Sequence, residues 1–137
     1  MKQGARIQTT LDILNRIQVS SIPMDNTIRD FMQHKRYIGS KDRAAIVELV
    51  YNIVRSTARL GWWLEKNSSE DTVRMRLIAY LALQITEDPR YIPDLFSGEK
   101  YCPTPLSKQE ALLIEQLKGK KLTDPDMPIS IQVECPA

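Results

Sequence analysis

From Gly39 to Lys66 the chain reads GSKDRAAIVELVYNIVRSTARLGWWLEK, and no other stretch restricts the possible folds as strongly. Laid out at about 100° per residue, Ile46, Leu49, Val50, Ile53, Val54, Leu60 and Leu64 fall on one broad face of a single helix. Lys41, Asn52, Arg55, Arg59 and Lys66 fall in a narrow stripe opposite, with Glu48 the only acid among them. An apolar face this wide has to be covered by other helices. The expected fold is therefore all-α, a helical bundle that leaves a cationic ridge in water. Ser40 is placed to accept the first free backbone N–H groups and so to set the start. Gly61 lies inside the pattern, costs about 1 kcal/mol relative to Ala, and marks the expected point of any bend or break.

Shorter patterns supply the covering helices. Residues 5–19 read as a first helix with Ile7, Leu11, Leu14 and either Ile17 or Val19 turned inward. Asp25 can cap a second that presents Ile28, Phe31 and Met32. After the long helix, Ser68 with Asp71, or Ser69, can open a helix over about 70–86, with Val73, Leu77, Tyr80, Leu81 and Ile85 inward. Beyond Pro89, DPRYIPDLFSGEKYCPTPL holds four prolines and allows at most a short helix near 93–96. Ser107 and Glu110 form a capping-box pair for a last helix over about 108–118, closed by Gly119. In the tail, Ile129, Ile131 and Val133 alternate with polar residues, a strand-like pattern with no obvious partner strand. Residues 1–121 are expected to form one domain and residues 122–137 a linker.

A domain of 137 residues buries roughly two-thirds of the surface its unfolded chain exposes. No apolar run approaches the ~18 residues of a membrane span, and MKQGARIQTT lacks the apolar stretch of a secretory signal, so no membrane partner is expected. Cys102 and Cys135 sit in proline-containing loops without metal-ligand or CxxC spacing, which fits a reduced, cytoplasmic setting. The net charge of +2 conceals an imbalance: residues 1–66 carry 11 Lys/Arg against 6 Asp/Glu, and residues 67–137 carry 8 against 11. A polyanion such as RNA is better matched to the N-terminal half; an ordinary solvated surface can carry the same surplus.

The residues of independent catalysis are missing. His34, the one histidine, lies in the run His34-Lys35-Arg36 and reads as a solvated surface residue. There is no P-loop or glycine-rich dinucleotide loop, and neither cysteine has a histidine near it in sequence. The acid pairs Glu70-Asp71 and Glu87-Asp88 sit at expected helix ends, the first at an N-terminus, where negative charge is favoured. The expectation is a chain that is no enzyme on its own, with no catalytic residue, no metal site and no cofactor.

The run YIGSKDRAAIVELVYNIVR followed by LGWWLEK resembles the N-terminal domain of the Sun (Fmu) family of RNA cytosine-5 methyltransferases. LFSGEKYCPTPLSKQEALL is similar to the family's LF-G segment and the Leu-Ser-x-x-Glu helix after it. The opening GARIQTTLDILNRI resembles the family's first helix, and the closing ECPA the point where its linker enters the catalytic domain. The resemblance covers almost the whole chain. It implies a NusB-like helical bundle with a proline-rich, partly irregular C-terminal segment. It also implies a non-catalytic role: holding RNA, ribosomal RNA above all, by a basic helix face for the methyltransferase domain of the same parent protein. In that family an S-adenosylmethionine-binding domain and two cysteines carry the methyl transfer. That domain and its glycine-rich loop are not in this sequence, and Cys102 and Cys135 lie outside the family's catalytic motifs. The chain thus resembles an excised domain or a truncated product of such an enzyme, with S-adenosylmethionine expected only in the absent part. Two other readings stay open: a free-standing NusB-like transcription antitermination factor, and a protein-docking module without RNA affinity.

The expected RNA-binding set is Lys35, Arg36, Lys41, Arg55, Arg59 and Lys66. Arg55 and Arg59 are like charges one turn apart, which slightly destabilises a helix and so argues for a function. Lys2 and Arg6 occupy the region that is arginine-rich in NusB-type RNA binders. Asp42 and Arg43 resemble the family's Asp-Arg pair. Helical counting turns Arg43 toward the apolar side. The two are therefore read as a structural ion pair, with Arg43 against a carboxylate or free helix carbonyls in preference to RNA. Trp62 and Trp63 are either base-stacking platforms or, by preference, core or interface anchors, with Trp62 placed to face the absent catalytic domain.

Overall fold

The computed structural model describes residues 1–84 and 91–134, and the fold among them is all-α. Its helices are α1 (Gln3–Val19), α2 (Met24–Gln33), α3 (Ser40–Arg55), α4 (Thr57–Lys66), α5 (Val73–Gln84), α6 (Ile92–Leu95), α7 (Lys108–Leu117) and α8 (Ile129–Gln132). Ile85, the expected helix end at Thr86, the Glu87-Asp88 pair, Pro89 and the closing segment from Cys135 lie outside the described residues.

Helix α5 is the shared wall of the bundle, meeting α1, α3, α4 and α7. Val73, Met75, Leu77, Ile78, Ala79, Ala82 and Leu83 are all buried, so it has no single inward stripe. The expected set of Val73, Leu77, Tyr80 and Leu81 was too narrow: Tyr80 and Leu81 are only partly buried, and Ile78, Ala79 and Leu83 take the core. A one-sided pattern describes a helix at the surface of a bundle, not one enclosed by neighbours.

Helix α1 lies against α3 and also meets α2, α5 and α6. Ile7, Leu11 and Leu14 are buried, Ile17 is partly buried, and Val19 is 85% exposed, which decides the alternative left at the helix end. Ile28, Phe31 and Met32 bury one face of α2. Full burial of each such side chain contributes about 1.5–3 kcal/mol. Asp25 is not the cap of α2: Pro23 holds that position, and the Asp25 carboxylate instead accepts the Tyr51 hydroxyl of α3. That hydrogen bond raises the Tyr51 pKa.

The long helix expected over 40–66 is two. It breaks at Ser56, not at Gly61, which lies inside an unbroken α4. The backbone of Ser56 leaves the helical region (φ −108°, ψ 11°), and Thr57 Oγ1 turns back to the Val54 carbonyl at 2.9 Å. Hydroxyls that bond nearby carbonyls compete with the helix ladder. The Ser56-Thr57 pair therefore interrupts the helix where a mid-helix glycine is tolerated.

At other ends, Gly39 is the cap residue of α3 and Ser40 its first helical residue, with no side-chain cap. Thr72 takes the place expected for Ser68 or Ser69, its hydroxyl accepting the Met75 N–H at 3.1 Å. The Ser107–Glu110 capping box is complete, at 3.1 and 2.8 Å. Glu110 also binds Arg74 of α5 through both oxygens, at 2.7 and 3.1 Å. Burial alone would push the Glu110 carboxyl up; hydrogen bonds from Arg74 and Ser107, with the guanidinium charge, outweigh it and hold the pKa below its ordinary value.

The tail forms no strand among the described residues. Its 129–132 segment is the short helix α8, which packs with α4. Met127 is 3% exposed and Ile131 sits against the core, so residues 122–134, expected to be a linker, lie docked on the bundle.

Candidate nucleic-acid interface

The connection between α2 and α3 is where basic side chains converge on a fixed backbone. The Ile38 N–H donates to the Lys35 carbonyl at 3.0 Å, closing a tight turn. Arg43 reaches back from the first turn of α3 and fastens both ends: Nε donates to the Ile38 carbonyl at 2.8 Å and Nη2 to the Lys35 carbonyl at 2.9 Å. The Ile38 side chain is 3% exposed and anchors the turn in the core. The planar guanidinium suits this task because its donors form a rigid fork.

Lys35, Arg36 and Lys41 surround the turn. Arg36 and Lys41 are exposed, and Lys35 is half-buried with its ammonium 5.6 Å from the Phe31 ring centroid. The Arg16 guanidinium of α1 lies 5.4 Å from the same ring. Among the described residues, none of Lys35, Arg36, Lys41, Arg16 and Arg55 has a carboxylate within 4.0 Å.

Asp42 and Arg43 form no ion pair with each other. Successive helical residues do not face each other. Asp42 instead receives Arg6 Nε of α1 at 2.6 Å, with the Met1 amino group at 3.8 Å, and Arg43 binds the turn carbonyls. The N-terminal cations are likewise engaged: Lys2 lies 2.9 Å from Glu99, whose hydrogen bond and charge raise the lysine pKa.

Along α3, Lys41, Ala44, Glu48 and Arg55 are exposed and Asn52 is half-buried, a single solvent-facing stripe. Lys41 and Arg55 stand about 21 Å apart along the axis at 1.5 Å per residue. Glu48 lies between them, and Arg55 rests 5.3 Å from the Tyr51 ring centroid. The cationic character is therefore concentrated at the Lys41 end.

The expected ridge does not continue past Arg55. The break at Ser56 opens the first turn of α4, and the Glu134 carboxylate closes it, accepting the N–H groups of Ala58 at 2.7 Å and Arg59 at 3.1 Å. Arg59 Nε adds a third contact to Glu134 at 3.0 Å, and its Nη1 donates to Thr123 Oγ1 at 2.9 Å. Arg59 is thus a clasp on the tail and not a free cation. Lys66 is exposed, 4.0 Å from Asp126 and 4.9 Å from the Trp62 ring centroid. Trp63 is 2% exposed and donates its Nε1–H to the Leu122 carbonyl at 3.0 Å. Trp62 meets it edge-on and is partly buried. Trp63 therefore offers no face to a base.

Three features escape a reading of helical periodicity. Tyr37 is 73% exposed beside Lys35 and Arg36; the signal was the aromatic inside HKRY, visible once Ile38 is known to take the core position. Glu134 reaches α4 from 75 positions away, and Arg74 meets Glu110 across 36; no local pattern marks either. Among the described residues there is no group of three or more His, Cys, Asp or Glu able to hold a metal ion, and no helix is long and apolar enough to cross a membrane. Comparison with protein-family models, curated proteins and solved structures found no match.

Proposed function

We propose that this chain is a non-catalytic RNA-binding domain that grips backbone phosphates at the α2–α3 turn. The observation that carries the reading is the cluster of Lys35, Arg36 and Lys41, without acidic partners among the described residues, around a backbone pinned by Arg43. Cations held on a fixed frame lose less freedom on binding than the same charges on a loose loop. Arg55 extends the contact along α3. Phosphate contacts of this kind orient RNA without reading its sequence. On the resemblance to Sun-type RNA cytosine-5 methyltransferases, the RNA is ribosomal, and the domain is NusB-like and positions it for a catalytic domain that supplies S-adenosylmethionine chemistry in the cytoplasm.

Fluorescence anisotropy with labelled ribosomal RNA fragments tests this. Replacing Lys35, Arg36 and Lys41 together by Glu is expected to weaken binding at least tenfold with helicity unchanged. Unaltered affinity at low salt would reject the turn as the binding surface.

One observation favours a second reading. Ile129 and Val133 lie one turn apart at α8 and are 71% and 65% exposed, which suits docking against a protein domain. Tight association with a methyltransferase domain supplied in trans, without RNA affinity, would favour that reading.

A further inference from the structure

We infer that Tyr37 is a stacking platform for an unpaired base of the bound RNA, an inference that rests on the RNA-binding reading and adds a residue and a substrate class to it. Tyr37 occupies the third position of the turn between Lys35 and Ile38, which is closed by its own hydrogen bond and tied at both ends by Arg43. With Ile38 inserted in the core, Tyr37 is directed outward and is 73% exposed. Among the described residues its ring has no aromatic or cationic partner and its hydroxyl no hydrogen bond. In sequence Arg36 precedes it, Lys35 lies two residues before it and Lys41 four after, and no acid lies between Asp30 and Asp42; the Lys35 ammonium itself rests 5.6 Å from the Phe31 ring centroid.

An uncovered aromatic face within a run of cations suits a nucleotide: the base stacks on the ring while its neighbouring phosphates meet the ammonium and guanidinium groups. Stacking of this kind tolerates any base and needs one that is unstacked from its neighbours, so the preferred substrate is a single-stranded segment or loop over a duplex. The pinned backbone removes most of the entropy loss that ordering a mobile loop would add. Tyr101 is a natural contrast. It is 72% exposed, but its ring is already covered by Lys100 at 5.1 Å and it follows Glu99 by two residues. Equal exposure in a different electrostatic setting separates a platform from a merely solvated tyrosine.

The test is anisotropy with a fluorescein-labelled oligouridylate of about 12 nucleotides, within the usual span of a single-strand site, and with a duplex RNA of equal length. Tyr37→Ala is expected to weaken single-strand binding about tenfold while leaving its salt dependence unchanged. Tyr37→Phe should stay within about twofold of the parent, because stacking uses the ring and not the hydroxyl. Tyr101→Ala should match the parent, and duplex binding should change little in all three. Since Tyr37 is exposed, an unchanged thermal melt verifies that the variants fold. Parent-like binding by Tyr37→Ala, with binding lost in the Lys35/Arg36/Lys41→Glu variant, would overturn the platform and leave the phosphate reading standing. Equal losses for Tyr37→Phe and Tyr37→Ala would overturn it in favour of a hydroxyl contact. Absence of binding by the parent chain to either probe would overturn both readings.

Discussion

The Glu134 carboxylate closes over Arg59, with Oε1 3.0 Å from the side-chain Nε and 3.1 Å from the same residue's backbone nitrogen. One acid from the tail thus caps the first turn of α4 and neutralises its arginine. Glu134→Ala is expected to lower stability by about 0.5–2 kcal/mol, the range for loss of a helix cap. Arg59→Ala should be non-additive with it in a double-mutant cycle. Urea unfolding of the four proteins checks this; strict additivity would mean the clasp is not a unit.

Arg74 and Glu110 join α5 to α7 and should give the fold an acid sensitivity. The folded-state pKa of Glu110 is lowered. Its stabilising contribution is therefore present in full above the ordinary glutamate range, about 4.3, and is lost as pH falls through the lowered value. Glu110→Gln should be less stable than the parent at pH 7, and the gap should narrow toward pH 3. Thermal melts across that range read the effect, and a gap independent of pH would contradict it.

Arg43→Met should keep the apolar stem and remove both donors to the turn. Two charged-donor hydrogen bonds, at 2.8 and 2.9 Å, are worth about 1.5–3 kcal/mol each where they satisfy buried carbonyls; partial solvent access reduces the sum to about 2–3 kcal/mol. Arg43→Lys should recover little, because one ammonium does not reproduce the fork. Hydrogen exchange at the Ile38 amide should accelerate in both variants.

Glycines at two helix starts should respond in opposite ways. A Cβ at Gly4 would stand 2.9 Å from the Leu95 carbonyl oxygen and 2.9 Å from Cys102 Sγ, so Gly4→Ala forces α1 away from α6 and should cost about 1–3 kcal/mol. At Gly39 a Cβ meets nothing within 4 Å, and φ is −68°. Gly39→Ser should be neutral or gain a few tenths of a kcal/mol as a better helix cap. Thermal denaturation of the two variants side by side decides this.

What was legible in the sequence follows from how local each cause is. The Ser107–Glu110 box, the short α6 and the inward face of α2 are written within a few neighbouring residues, and they were readable; on α1 Ile7, Leu11 and Leu14 were, but the equally buried Thr10 and Ile13 were not, because that helix is enclosed by several neighbours. The break at Ser56 was not, because periodicity continues in phase across a one-residue interruption and Gly61 offered a more familiar breaker. The alternation of Ile129, Ile131 and Val133 mimicked a strand; Ile129 and Ile131 belong to the single turn of α8 and Val133 ends it, with only Ile131 packed on the core, a segment too short for period to discriminate. For the interface, the cations at residues 35–41 were legible as charge. Their separation from Arg59 was not, since Glu134 neutralises that residue through a contact spanning most of the chain.

The most direct measurement is the salt dependence of single-stranded RNA affinity for the parent chain and for Lys41→Met. Three phosphates neutralised by Lys35, Arg36 and Lys41 correspond to a slope of log K against log salt of about −2, and removing Lys41 should flatten it by about 0.7. A parent slope near zero, or one identical in the two proteins, would contradict a phosphate grip at the α2–α3 turn.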